Sequence, residues 1–377
     1  MKELTMERKI QFQQLRTEIN GSTPLLHVLS INGRRHIYAK DESYRGHPTQ
    51  SHYDRVFLPL IEMHEKGLAK TPSGKEMEPI DQRTTHLVEV STGNAGAAFA
   101  WAAKKLGYAA TAIVPDGLPT GRLDAIKKNG AAIEIAERKN YMEGSIDRLK
   151  EFLKVMRFDE VGRRYITLNH PLHMETTWLM AEIVKEAFDQ ANSQGFTFNA
   201  IVLAIGNGSS LFGPATVFRN YEPKGNVFAW EPFSAGRAYD MLNPGAYRDD
   251  FGVDPGFADH NLIGAVGPGV TIPFVEMACQ KPKLIDEVVL VSDEYQLKAY
   301  RTVAKRKIRN VSFQRAERQM VYWEETQRML NHSGFDVGRT SAASVAVAMN
   351  RPYDYNKKLE DFNTLVIFYD DTSKYYR

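Results

Sequence analysis

The chain has 377 residues, long enough for two domains or for one large α/β domain with a smaller partner. Hydrophobic content of 43% and charged content of 25% are ordinary for a soluble globular protein, and 48 Lys and Arg against 46 Asp and Glu leave a formal charge of +2, too balanced to argue for nucleic acid. The one cysteine, Cys279, excludes an internal disulfide framework and any multi-cysteine metal site, so no metal is expected.

No stretch approaches the roughly 20 apolar residues of a membrane span. The first ten residues, Met1 to Ile10, mix charges too closely for a signal peptide, and a cytoplasmic protein without membrane contact is the expectation. From Thr23-Pro24-Leu25 an extended segment runs to Lys40-Asp41-Glu42, followed by Pro48-Thr49-Gln50-Ser51-His52-Tyr53-Asp54-Arg55. His86 to Val90 reads as a strand feeding an alanine-rich helix, Ala95 to Leu106. Ala109 to Val114 is a second strand, Thr120 to Asn129 a helix closed by Gly130, and Ala131 to Ala136 a third strand. This βαβαβ block predicts a smaller α/β domain over 47–167.

A larger domain is expected from 20–46 and 168–377, with 1–19 as an N-terminal extension. Its predicted elements are a helix Trp178 to Gln190, a strand Ala200 to Ile205, a helix Leu211 to Arg219 and a strand Val227 to Glu231. A strand Glu287 to Val291, a helix from Asp293 and a closing strand Thr364 to Phe368 follow. Cys279, in Val275 to Cys279, reads as a small apolar residue packed beside a helix. Between Ala304 and Gly338 the basic run Lys305 to Arg309 and the polar-aromatic run Gln319 to Glu325 read either as an extra solvated helix or as a lid or docking surface.

Two loops have the composition of anion sites. In Glu89-Val90-Ser91-Thr92-Gly93-Asn94-Ala95-Gly96 a strand ends, small residues turn, and a helix begins with unpaired N–H groups pointing outward. The same residues also suit a plain helix cap. Gly206-Asn207-Gly208-Ser209-Ser210 repeats the arrangement after the strand ending at Ile205, and competes with a tight structural turn.

Taken together, these segments resemble the cysteine synthase and cystathionine β-synthase branch of the fold-type II pyridoxal-phosphate (PLP) enzymes. The resemblance runs from Thr23 to Tyr375. It implies a two-domain, tryptophan synthase β-like α/β fold of mostly parallel twisted sheets flanked by helices, and commonly a homodimer. It also implies that Ser91, Thr92, Gly93 and Ala95 grip a substrate carboxylate, with Ala95 in place of a threonine, while Asn94 hydrogen-bonds the cofactor's 3′-oxygen. Gly206, Asn207, Gly208, Ser209 and Ser210 would hold the phosphate. In Gly338-Arg339-Thr340-Ser341-Ala342-Ala343, Thr340 and Ser341 would offer a hydroxyl to the pyridine nitrogen, with Arg339 opposing its protonation. His173 to Thr177, Glu231-Pro232 and Asp370 support the register.

The family stretch Asn-Pro-Thr-Gly-Ser-x-Lys-Asp-Arg places its Schiff-base lysine where this chain has Tyr53. A phenol forms no imine. Lys40, Lys104, Lys105, Lys127 and Lys128 offer no replacement, and His52 is expected on the opposite face of an extended segment. Three readings follow: a pseudoenzyme, sensor or structural partner binding a small anionic molecule or amino acid; an enzyme of altered chemistry using Tyr53; or a PLP-dependent β-replacement or β-elimination lyase. No internal aldimine is expected, and PLP held without a covalent bond stays open.

Overall fold

The structure is a computed structural model describing residues 3–19, 22–70, 76–138, 142–258, 260, 262, 273–307, 320–351 and 361–376, with the side chains of 305–307 outside the description. It divides into two compact units. Unit 1 comprises Met1–Ser22, Glu42–Met180 and Asp370–Arg377; unit 2 comprises Thr23–Asp41 and Ala181–Tyr369. Beyond the residues 47–167 expected for the smaller domain, unit 1 takes in the N-terminal helix, residues 42–46 and 168–180, and the final residues from 370. The helix Met6–Ile19 buries Phe12, Leu15 and Ile19 and donates from Arg8 to the Glu65 carboxylate. The final residues join unit 1 because Asp370, Lys374 and Tyr376 each bond to its loops or helices.

The chain opens in unit 2 with the antiparallel strands β1 (Leu25–Ile31) and β2 (Arg35–Asp41). Unit 1 then builds β3 (Thr85–Val90), β4 (Ala109–Pro115), β5 (Ala132–Ala136) and β6 (Arg164–Ile166) into a sheet of order β5-β4-β3-β6, parallel throughout. Val88, Val90 and Ile113 pack with Met142 and Phe152 on one side of it. The helix Asn94–Lys105 buries every residue from Ala95 to Ala103. Its run of alanines and glycine lets neighbouring elements approach closely, and alanine also has the best helix propensity.

Unit 2 continues with β7 (Ala200–Ala204), β8 (Asn226–Pro232), β9 (Glu287–Ser292), β10 (Val321–Tyr322) and β11 (Phe362–Phe368). The sheet order is β1-β2-β11-β7-β8-β9-β10, and every pair after the first is parallel. β7, Ala-Ile-Val-Leu-Ala, is buried at all five positions, as an interior parallel strand covered on both faces requires. The fold is therefore the expected α/β fold of fold-type II PLP enzymes.

The helices and strands anticipated from periodicity are present with ends moved by a few residues, the widest being Met174–Ser193 for the predicted helix Trp178 to Gln190. The basic run Lys305 to Arg309 lies outside what is described, apart from the backbone of 305–307. Of the polar-aromatic run, Met320, Val321 and Trp323 are buried and Val321–Tyr322 forms β10 beside β9, while Tyr322, Glu324 and Glu325 are exposed and the helix Glu324–His332 begins there. Cys279 sits in the helix Pro273–Gln280, and burial pushes its thiol up to about 12. Among the described residues no helix is long and apolar enough to cross a membrane.

Candidate functional site

The Pro48 to Arg55 segment is a clamped turn, and His52 and Tyr53 lie in a short helix instead of the extended segment expected for them. Ser51 caps a short 3-10 helix, His52–Arg55, by accepting from the Tyr53 N–H at 3.1 Å. The Asp54 carboxylate accepts from Thr49 N at 2.9 Å and Ser51 N at 3.4 Å, and from the Thr49 hydroxyl. Burial pushes Asp54 up, and the Thr49 bonds oppose it. Arg55 donates twice to the fully buried Glu42, at 2.7 and 2.9 Å. The turn also corrects the placing of His52 and Tyr53 on opposite faces: their rings lie 4.3 Å apart. Gln50 holds a φ of 55°, where the resemblance has a glycine.

Tyr53 meets a pair that sequence reasoning missed. The His170 ring stands perpendicular to it at 5.6 Å, and His170 Nδ1 lies 3.2 Å from Glu89 Oε1. Glu89 Oε2 accepts from Asn169 N at 3.0 Å and Thr167 Oγ1 at 3.2 Å. No spacing rule links residues 53, 89 and 170.

The loop after β3 is more specialised than its composition reveals. Ser91 Oγ accepts from Gly93 N at 3.0 Å and Gly96 N at 2.6 Å, so this hydroxyl caps the following helix. Gly93 has a φ of 133°, and a Cβ there would meet Arg122 Cδ at 2.5 Å. Arg122, buried beneath the loop, donates to Thr92 O at 2.6 Å and pairs with Asp370 at 3.4 Å, with side-chain exposures of 2% and 1%. Asn94 Nδ2 donates to Asp370 Oδ2 at 2.7 Å, and Tyr375 donates to the same oxygen at 2.8 Å. Burial pushes the Asp370 carboxyl up, opposed chiefly by Arg122. Asn94 Oδ1 is buried without a hydrogen-bond partner among the described residues.

Lysine amines are accounted for separately in the two units. In unit 2 the fully buried Lys40 donates to Thr23 O, to Gln190 Oε1 at 3.0 Å, and pairs with Glu186 at 3.0 Å. In unit 1 Lys374, absent from the sequence reading, is buried and donates to Thr49 O at 2.9 Å.

Unit 2 carries the second loop after β7, where strand ends of open α/β sheets commonly bind ligands. Asn207 Oδ1 accepts from Ser209 N at 2.9 Å and Ser209 Oγ at 2.6 Å, closing a local turn ahead of the helix Ser209–Tyr221, whose N-cap is Gly208. Gly208 has a φ of 84°, and a Cβ on it would meet Phe274 Cβ and Val275 N, each at 2.8 Å. Glycine is thus demanded here by the chain's own packing. Gly206 and Ser210 complete the loop and are partly exposed. Thr340 and Ser341 begin the helix Arg339–Asn350, and Ser341 Oγ accepts from Tyr369 N at 2.9 Å. The Tyr369 hydroxyl accepts from Ala204 N at 3.0 Å. The Arg339 guanidinium lies 5.7 Å from the Trp323 ring centroid, in cation–π range.

Residues 16–310 match the family described as pyridoxal-phosphate dependent enzyme. A probable cysteine synthase of Bacillus subtilis (strain 168) is 25% identical over 286 residues, covering 74% of this chain and 78% of its own length. A cysteine synthase of Staphylococcus aureus (strain Mu50 / ATCC 700699) is 26% identical over 291 residues, 77% of this chain and 81% of that protein. Among solved structures, an O-acetylserine dependent cystathionine beta-synthase from Helicobacter pylori has a TM-score of 0.64 at 20% identity, covering 99% of this chain and 97% of its own. A hydrogen sulfide-producing enzyme (Fn1055) of Fusobacterium nucleatum has a TM-score of 0.67 at 21% identity, covering 97% and 90%. The structural likenesses speak to the fold alone, while the sequence match extends over most of the chain: this protein belongs to the pyridoxal-phosphate dependent enzyme family.

Proposed function

We propose that this chain is a cysteine synthase-like member of the family in which Tyr53 stands where relatives carry the cofactor lysine. It binds a small carboxylate- or phosphate-bearing molecule, an amino acid included, without forming an internal aldimine. The observation that carries this reading is the Pro48 to Arg55 turn. Thr49, Ser51 and Asp54 bond to one another as a clamp, and the side chain offered at position 53 is a phenol. An amine is needed for an imine. The covalent form of PLP therefore does not fit Tyr53. Its non-covalent phosphate remains compatible with the Gly206 to Ser210 loop at a helix start.

A second reading, a PLP-dependent β-replacement or β-elimination lyase, is favoured by relatives named as cysteine synthases and by the Lys374 amine at Thr49 O. Borohydride reduction of PLP-treated protein followed by peptide mass mapping separates the two. The first reading expects no stoichiometric phosphopyridoxyl lysine. Full labelling of one lysine, Lys374 above all, would overturn it.

A further inference from the structure

The helix Phe57–Glu65 follows the Ser51 turn and meets the 168–173 segment at two places. The Phe57 and His170 rings lie 5.2 Å apart, and the His64 and His173 rings 6.0 Å apart. Residues 57 and 64 are two helical turns apart on one face. His64 is 1% exposed, and neither of its ring nitrogens has a hydrogen-bond partner among the described residues. His173 Nδ1 accepts from Glu175 N at 3.3 Å, and its Nε2 is buried without a partner. This arrangement suits two neutral imidazoles. A proton on His64 would be a buried charge with no counter-ion, and one on His173 Nδ1 would displace the Glu175 bond.

The surrounding charges are committed elsewhere. On the same helix Glu62 pairs with Arg16 and Lys66, and Glu65 with Arg8, both arginines coming from the helix Met6–Ile19. In the turn, Arg55 binds Glu42, Asp54 binds Thr49, and His52 packs on the Tyr53 ring. On the helix Asn94–Lys105, Lys104 is exposed and Lys105 pairs with Glu18. Asp81, beside the Ile80 N–H that bonds His64 O at 3.2 Å, accepts from Arg83 N. In the facing segment His170 lies against Glu89, and Glu175 opposes the effect of burial on His173. Burial acts most strongly on His64 and pushes it from 6.5 down to about 4. His173 adds to this, while the Leu168 carbonyl opposes it without completing a hydrogen bond.

We propose that His64 and His173 form an acid-released latch that holds the 168–173 segment against the helix Phe57–Glu65. While both rings are neutral the segment stays closed and His170 stays beside Tyr53. A proton taken up by either ring favours the open form. The closed form binds fewer protons than the open one, so closure is complete above 6.5 and weakens as pH falls toward 4. From pH 7 to pH 5 the His64 shift alone multiplies the opening equilibrium by roughly 20. The latch acts whatever ligand the protein takes, and so goes beyond the proposed binding role.

Hydrogen–deuterium exchange of the full chain at pH 7 and pH 5, corrected for intrinsic rates, reads the opening. Peptides covering 57–65 and 168–177 should gain roughly 20-fold in exchange, while the interior strand β4 does not. In His64→Phe and His64→Gln, which carry no titrating ring at 64, the gain should fall to about threefold or less. Circular dichroism at pH 7 confirms that each variant folds. Exchange of the imidazole C2 hydrogen in wild type, followed peptide by peptide against pH, needs no variant and should show His64 titrating well below 6.5. His64 titrating at 6.5 or above overturns the latch. So does a gain spread evenly over the chain, no gain in the two peptides, or the full gain persisting in a folded His64 variant.

Discussion

Replacing Arg122 by methionine isolates the electrostatics beneath the Ser91 to Gly96 loop. Methionine keeps an unbranched stem against Gly93, whose missing Cβ makes room for the Arg122 side chain. What is lost is the bond to Thr92 O and the pairing with Asp370. Removing one partner of a buried ion pair costs about 3–5 kcal/mol, because the other charge is left uncompensated. Here the bonds from Asn94 and Tyr375 at 2.7 and 2.8 Å survive, and Lys374 still acts on Asp370. The expected loss is therefore near the low end, about 3 kcal/mol at pH 8. Asp370 already titrates above its ordinary value through burial, and loss of Arg122 raises it further. A raised folded-state value favours the folded form at low pH and loses that benefit as pH rises through it. The deficit should thus shrink between pH 8 and pH 5. Urea denaturation at both pH values, with wild type alongside, measures it. A loss below about 1 kcal/mol at pH 8, or one equal at both pH values, would refute the assignment of a buried charge pair.

Other perturbations test neighbouring features. Gly208→Val should destabilise unit 2 by more than about 2 kcal/mol, since a φ of 84° and contacts at 2.8 Å to Phe274 and Val275 both oppose a side chain; a wild-type melting temperature would place Gly208 in a looser loop. Burial pushes the Glu231 carboxyl from 4.5 to about 7, so its stabilising effect is complete below 4.5 and lost as pH rises through 7. Glu231→Gln should flatten the stability profile over that window by up to about 3 kcal/mol, and an unaltered profile would assign the window to another group. Gln50→Gly should raise stability by up to about 1 kcal/mol by relieving its positive φ, and a clear loss would mean that the Gln50 side chain contributes more than the strain costs. Tyr53→Lys should acquire a borohydride-trappable PLP adduct that wild type lacks. A folded variant that binds no PLP would point to a pocket remodelled for another ligand.

The fold was legible because it rests on signals within a few residues of one another. An apolar run such as Ala200 to Ala204, a small-residue turn and an amphipathic stretch repeat along both units. The short strands β6 and β10, of three and two residues, carry no period to read. The turn at Ser51 was readable in principle, since Ser51 and Asp54 have capping-box spacing and both of its bonds form. The extended reading gave that local signal too little weight. At the site, glycines and hydroxyls marked both loops, but not which way their polar atoms are committed. Asn94 and Asp370 are 276 residues apart, Arg122 and Asp370 248, and Lys374 and Thr49 325. Each sets what its loop can offer a ligand, and none leaves a trace in local sequence.

The turn is shaped largely without the side chain of Tyr53. The bonds from Thr49, Ser51 and Asp54 and those of the Tyr53 backbone shape the turn without using the side chain at 53. The side chain at 53 contributes ring contacts with His52 at 4.3 Å, His170 at 5.6 Å and Phe57 at 6.4 Å, worth roughly 0.5–1.5 kcal/mol each in favourable geometry. That is small beside a buried carboxylate with three donors. The Tyr53 ring stands perpendicular to the imidazole of His170, whose Nδ1 lies 3.2 Å from Glu89 Oε1. Residues that hold a site and residues that act in it are thus separable in this segment, and the resemblance to the family is carried by the former.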